Sequence, residues 1–200
     1  MNDEGATRRS GRRSSGPAGS DDVGGPEEKK SQRQPDDPAA KARDVVYRLL
    51  ATRARSRSEL RQALLRKEIE EDVADAVLQK FVDAGLVDDA SFAEEWVSAR
   101  QRYQGLGRKA LGFELRRKGV DEQHVEAALA NVDAEAEEDR ARELVQRKLR
   151  SMRAADYQTK MRRLVGMLAR KGYSEGLAYR VVREQVEAHG SAEGEDLDLP

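Results

Sequence analysis

Three stretches of this chain align without a gap, and that repetition limits the fold more than any other feature. They are LLRKEIEEDVADAVL (64–78), LRRKGVDEQHVEAAL (115–129) and LARKGYSEGLAYRVV (168–182), displaced by 51 and then 53 residues. The shared pattern is a leucine, an Arg-Lys pair, a turn residue, an apolar residue, then an acidic or serine helix start. Small or apolar residues recur after it: Ala74, Val125 and Ala178; Val77, Ala128 and Val181; Leu78, Leu129 and Val182. Upstream, Leu60, Leu111 and Leu164 keep the same register. A fixed period of about 50 residues with helical content marks a tandem array of stacked units.

The periodicity between Lys41 and Ala188 is helical. Val45, Val46, Leu49 and Leu50 make one apolar stripe, and Val73, Val77, Leu78 and Phe81 make another, closed by Gly85. Ser56 with Glu59, and Ser91 with Glu94, have the S-x-x-E spacing of a capping box. No stretch alternates long enough to argue for a strand. No proline lies between Pro38 and Pro200. The pattern predicts three helices per unit: 40–53, 57–67 and 70–83; 90–104, 108–118 and 121–131; 135–152, 157–171 and 174–187. Gly119 and Gly172 fall just past the second helix of their units, where a left-handed residue ends a helix. The first unit has Glu68 there. That predicts either a strained Glu68 or a helix that ends differently.

The stretch YQGLGRKALGFELRRKG (103–119) contains the G-x-G-x-x-A spacing of a dinucleotide-binding turn at Gly105, Gly107 and Ala110. That chemistry needs a strand before the turn. The residues before it, SFAEEWVSARQRY, form an amphipathic helix instead. The glycines are expected to end one helix and let the next pack closely.

The two ends differ from the middle. Residues 1–39 contain a single branched aliphatic residue, Val23, with seven basic and eight acidic residues. Such a segment cannot bury enough apolar surface to offset its ordering, and it reads as a disordered tail. Its Arg8-Arg9 and Arg12-Arg13 pairs fit a solvated tail. Residues 189–200 form a short acidic tail. The ordered part then divides into units at 40–89, 90–132 and 133–188.

Composition agrees with thin helix-on-helix packing: charged residues are 38% and aromatics 4% of the chain. Cysteine is absent, which excludes disulfides, thiolate nucleophiles and zinc–cysteine sites. No apolar run approaches the roughly 18 residues of a membrane span, and the basic N-terminus lacks the apolar core of a secretory signal. A cytoplasmic protein is expected.

The formal net charge of -1 hides segregation. Residues 48–67 hold seven basic residues and one acid, and residues 100–118 repeat that balance. Residues 140–188 hold thirteen basic residues and five acids. Acidic blocks fall at helix starts, and helix dipoles explain part of the pattern. They do not explain why the first two helices of each unit are so basic. A basic ridge repeated along an array suits a long acidic partner, such as a nucleoprotein filament. The tyrosines are scattered, so backbone contact is favoured over base stacking.

Catalytic patterns are missing. His124 aligns with Val73 and Leu177 and reads as a half-buried packing residue, while His189 begins the tail. There is no H-x-x-x-H pair, no phosphate-binding G-x-x-x-x-G-K-[ST] and no nucleophile motif. No enzyme activity, metal or cofactor is expected. Trp96 and Phe92 share a stripe and are expected in the core. Arg100, Arg102, Arg108 and Lys109 flank a turn where side chains are expected to be exposed.

SRSELRQALLRK, FVDAGLVDDASFAEEWV, LGRKALGFELRRKGV and MLARKGY, within the triple repeat, resemble the RecX regulatory family. The GLVDD turn at 85–89, followed by Phe92-Ala93, is the most specific piece, and the likeness covers about 40–187. The long polar N-terminus and Glu68 depart from shorter members. The resemblance implies an all-α, elongated, curved array of three tandem three-helix repeats, monomeric and without a membrane partner. It also implies a modulator of the RecA recombinase in homologous recombination and the SOS response. Such a modulator binds the RecA–DNA filament and inhibits its ATPase and strand exchange. Contacts are expected at Arg57, Arg61, Arg100, Arg102, Arg108, Lys109, Arg116, Arg117, Arg162, Arg163, Arg170 and Lys171, against the recombinase and the DNA backbone. The alternative is a helical protein that binds single- or double-stranded nucleic acid directly, with no recombinase.

Overall fold

The computed structural model describes residues 37–152 and 154–195. The Arg8-Arg9 and Arg12-Arg13 pairs lie outside them. Nine helices and no strand occur among the described residues. They are α1 (Pro38–Leu50), α2 (Arg57–Leu65), α3 (Glu71–Asp83), α4 (Asp89–Gln104), α5 (Arg108–Arg117), α6 (Glu122–Ala130), α7 (Ala134–Leu149), α8 (Tyr157–Arg170) and α9 (Glu175–Glu195). Helix α1 begins two residues before the expected start, because Asp37 accepts a hydrogen bond from Ala39 N and Pro38 sits at the first helical position. Helix α9 continues past the expected 187 to Glu195.

The local signals explain most boundaries. Ser56 and Glu59 form the full capping box of α2. The second expected box does not form. Asp88 caps α4 instead, accepting from Ala90 N and Ser91 N, which leaves Ser91 inside the helix. A carboxylate three residues earlier is the better acceptor for those amides, and it suits the positive end of the dipole.

The helices pack in triplets, α1–α3, α4–α6 and α7–α9. Each triplet has its own apolar cluster. The repeat-aligned positions are the centres of these clusters. Leu60, Leu111 and Leu164 are fully buried, as are Leu64, Leu115 and Leu168. Ala74, Val125 and Ala178 follow them. Truncating one of these leucines to alanine costs about 2–5 kcal/mol in a well-packed core. A single triplet is close to the lower size limit for a self-sufficient domain, so what joins the triplets matters.

The residue after each second helix is left-handed: Glu68 at φ 59, Gly119 at φ 71 and Gly172 at φ 85. Glu68 therefore holds the strained alternative that the sequence offers. For a residue with a Cβ this conformation is unfavourable by about 1–2 kcal/mol. Glu68→Gly is expected to raise the thermal midpoint by a few degrees in a calorimetric scan, and a clear fall would contradict the C′ assignment.

The two joints share one construction. Between the first and second triplets, Ser56 Oγ donates to Lys118 O at 2.6 Å, and Arg57 N donates to Asp89 Oδ1 at 2.8 Å. Between the second and third, Gly107 N donates to Lys171 O at 2.8 Å, and Arg108 N donates to Glu137 Oε1 at 2.8 Å. In each case the start of one unit's second helix offers two donors, the Ser56 hydroxyl or the Gly107 amide and then the free amide of the next residue. The next unit supplies the acceptors: a lysine carbonyl from its second turn and a carboxylate from its first helix.

Candidate functional site

The glycine-rich turn at 104–110 belongs to the second joint. Gly107, at the N-cap of α5, has no side chain to cap it. The helix's amides are taken by Lys171 O, Glu137 and, through Lys109 N, by Gly172 O at 3.1 Å. Tyr173 OH donates to Gly105 O at 3.1 Å, and Lys171 Nζ donates to Gln104 O at 2.7 Å. A Cβ on Gly107 would stand 2.7 Å from Gly172 O. The amides that would cradle a phosphate in a dinucleotide turn are thus already used between repeats. Burial, joined by the Glu137 carboxylate, pushes the Tyr173 phenol up to about 12.

The twelve candidate cations separate into two groups. Those engaged within the chain come first. Arg61 pairs with Asp75 at 2.8 Å and Glu71 at 2.7 Å. Arg100 pairs with Glu114 at 3.0 Å and lies 4.2 Å over the Trp96 ring. Arg108 pairs with Glu137 and donates to Val132 O. Arg116 pairs with Glu122, Lys171 holds Gln104 O, and Arg57 reaches Gln79 Oε1 at 3.4 Å. Arg100 and Arg108 are half-buried rather than exposed, because the Trp96 face and the Glu137 carboxylate draw them in.

Arg102, Lys109, Arg117, Arg162, Arg163 and Arg170 form the second group. They are exposed and have no ion pair among the described residues. Lys109 and Arg117 lie eight residues apart on α5, so they share one helical face. Between them, four residues from each, stands Phe113, 65% exposed. Arg162 and Arg170 occupy the aligned positions on α8. Arg66, in the last turn region of α2, aligns with Arg117 and Arg170 and is equally exposed and unpaired.

Sequence reasoning passes over Phe113 and Arg66. Phe113 was legible as an aromatic out of register with Leu111 and Leu115, which face the core. Arg66 was legible as the first member of the Arg-Lys repeat.

Trp96 is half-buried, not fully in the core. Its Nε1 donates to Glu114 at 2.9 Å, and Lys118 Nζ stands 4.0 Å from its ring centroid. His124 is half-buried as expected, beside Asp88, Asp89 and Asp121. Burial raises Asp89 above the ordinary carboxylate range, against the pull of its bond from Arg57 N. Among the described residues no group of acidic and histidine side chains could hold a metal ion, and no helix is long and apolar enough to cross a membrane.

Glu59 couples the first joint to pH. Burial raises its carboxyl, but hydrogen bonds from Arg53 and Lys118 outweigh burial and bring it down to about 2. Its folded value is depressed, so its contribution is complete above the ordinary value of 4.5 and is lost as pH falls toward about 2. Thermal midpoints of the chain and of Glu59→Gln are expected to differ most at neutral pH and to converge between pH 4.5 and 2. A difference that stays constant across that window would refute the coupling.

Tandem three-helix units, each with its own apolar core, define an all-helical repeat protein. Known proteins specify the class further. The first three-helix domain of RecX matches residues 42–81, the second matches 88–129 and the third matches 135–182. Regulatory protein RecX of Amycolatopsis mediterranei is 51% identical over 157 residues, covering 78% of this chain and 90% of that protein. Regulatory protein RecX of Thermobifida fusca is 49% identical over 166 residues, covering 83% and 88%. The crystal structure of RecX from Lactobacillus salivarius superposes with a TM-score of 0.69 at 23% identity, over 74% of this chain and 97% of that one. This chain belongs to the RecX family.

Proposed function

We propose that this chain binds the RecA–DNA filament and inhibits its ATPase and strand exchange, as a binding protein without catalysis of its own. The family membership supports the partner. The observation that carries the surface is the recurrence of unpaired cations on aligned helices: Arg66 on the first unit, Lys109 and Arg117 on the second, Arg162 and Arg170 on the third. Arg163 adjoins Arg162 on α8, while Arg102 lies apart on α4. Free guanidinium and ammonium groups attract an anionic assembly without first losing an internal partner. Weak contacts repeated on several units of one chain add as effective concentration.

The engaged cations have another role. Arg61, Arg100 and Arg116 brace their own units, and Arg108 and Lys171 brace the second joint. They set the spacing of the free row. The test is recombinase ATPase on single-stranded DNA, titrated with this protein. Inhibition that saturates near the filament's repeat stoichiometry supports the reading. ATPase unchanged at large excess would overturn it.

A further inference from the structure

We infer that the cleft between α4 and α7 is a binding site for a single strand of nucleic acid. It encloses about 520 Å³ and is lined by Arg102, Tyr103, Arg140, Leu144, Arg147 and Lys171, with the 104–106 turn between them. Four cations face it and no carboxylate lines it. Arg102 and Arg147 are exposed and unpaired. Arg140 pairs with Glu143 at 2.7 Å, and Lys171 holds Gln104 O. That last bond, with Tyr173 on Gly105 O, covers carbonyls at the negative end of α4 that would otherwise repel an anion.

The floor and rim select among anions. Leu106 and Leu144 line the cleft, and a Cβ on Gly105 would stand 3.1 Å from Leu144 Cδ1. Tyr103 stands 81% exposed at the edge. Cationic walls with an apolar floor and a free aromatic suit a flexible chain of phosphates bearing planar bases. A duplex keeps its bases stacked inside and would leave the floor and Tyr103 unused. An acidic peptide would meet the guanidinium groups but bring nothing planar for the ring. The neighbouring cavity that shares Leu106 sets Glu94 and Glu137 against Arg102 and Arg140, so its charges balance where those of this cleft do not.

This site does not depend on the recombinase reading, and its test contains no recombinase. Fluorescence anisotropy would follow a labelled oligothymidylate of about 12 nucleotides. Arg147→Gln is expected to weaken binding about eight-fold at roughly 50 mM salt and to lower the log–log salt slope by about 0.7. Tyr103→Ala is expected to weaken binding by about five- to a hundred-fold on the oligothymidylate, and to leave binding of an abasic strand of equal length unchanged. Circular dichroism of both variants should match the parent, since both side chains are exposed. Wild-type affinity in either variant would overturn the proposal. So would equal weakening by Lys80→Gln, an exposed unpaired cation on α3. Displacement of the strand by polyglutamate at equal charge would also overturn it, in favour of an acidic protein segment.

Discussion

Gly172→Ala is expected to lower the thermal midpoint by about 10 °C and to loosen the joint between the second and third units. Three costs coincide at this one atom. The backbone is left-handed at φ +85, which is unfavourable for alanine by about 1–2 kcal/mol. The new Cβ would stand 2.3 Å from Ala110 N and 2.5 Å from Ala110 Cβ. A backbone nitrogen cannot swing aside as a side-chain tip can. Separation of the turns would also strand Lys109 N and Gly107 N, each unsatisfied amide costing about 1–3 kcal/mol if it stays buried. Domains of this size lose about 2–4 °C per kcal/mol. Calorimetry checks the first effect. Small-angle scattering checks the second, as a larger radius at unchanged helical content. Gly119→Ala should lie between this variant and the parent. Its nearest clashes are with Ser58 Oγ at 2.2 Å and Cβ at 2.4 Å; Oγ can rotate aside, and the nearest backbone atom, Ser58 Cα, lies 4.0 Å away. Glu68→Gly has the opposite sign. A midpoint for Gly172→Ala within a degree of the parent would show that the joint is not held as described.

That ordering explains why the first unit tolerates glutamate where the others have glycine. Two demands meet at Gly119 and Gly172: a left-handed backbone, and room for the preceding unit. Glu68 meets only the first, because no earlier unit among the described residues packs on its turn, and its side chain is exposed. In sequence the two demands look alike, since both call for glycine.

Period and stripe carried most of the fold, because buried leucines at fixed offsets leave a direct mark on composition. The core triads at 60, 111 and 164 and at 64, 115 and 168 are the outcome. The candidate site was less legible for an equally physical reason. A cation's surroundings depend on which carboxylate the fold brings to it. Nothing in local sequence says that Arg61 meets Asp75, fourteen residues on, or that Arg108 meets Glu137, twenty-nine residues on. Counting charge by segment found the basic helices correctly and could not separate bracing cations from free ones. The joints were invisible for the same cause. Asp89 and Glu137 read as ordinary acids at helix starts, yet each caps a helix of the unit before it.

The separation of the two groups gives the second large expectation. A variant carrying Lys109→Glu, Arg117→Glu, Arg162→Glu and Arg170→Glu is expected to inhibit recombinase ATPase about a hundred-fold less strongly, with a thermal midpoint lowered by no more than a few degrees. Each reversal replaces attraction by repulsion against an anionic surface, and like-charge contacts disfavour association strongly. None of the four has an ion pair to lose among the described residues, and the reversals at Arg117 and Arg170 forgo only last-turn dipole contacts of about 0.3–1 kcal/mol each. Arg108→Ala should behave in the opposite way. It leaves Glu137 without its cation and Val132 O without its donor, so the midpoint should fall while the inhibition left at low temperature stays close to the parent's. Added salt supplies a further check, since screening weakens exposed charge contacts far more than buried ones. Inhibition by the parent should fall steeply with ionic strength, and the residual inhibition of the four-fold variant should fall less. If that variant inhibits as well as the parent, the free row is only a solvated face, and the recombinase must be met through the surface that Arg102 shares with the α4–α7 cleft.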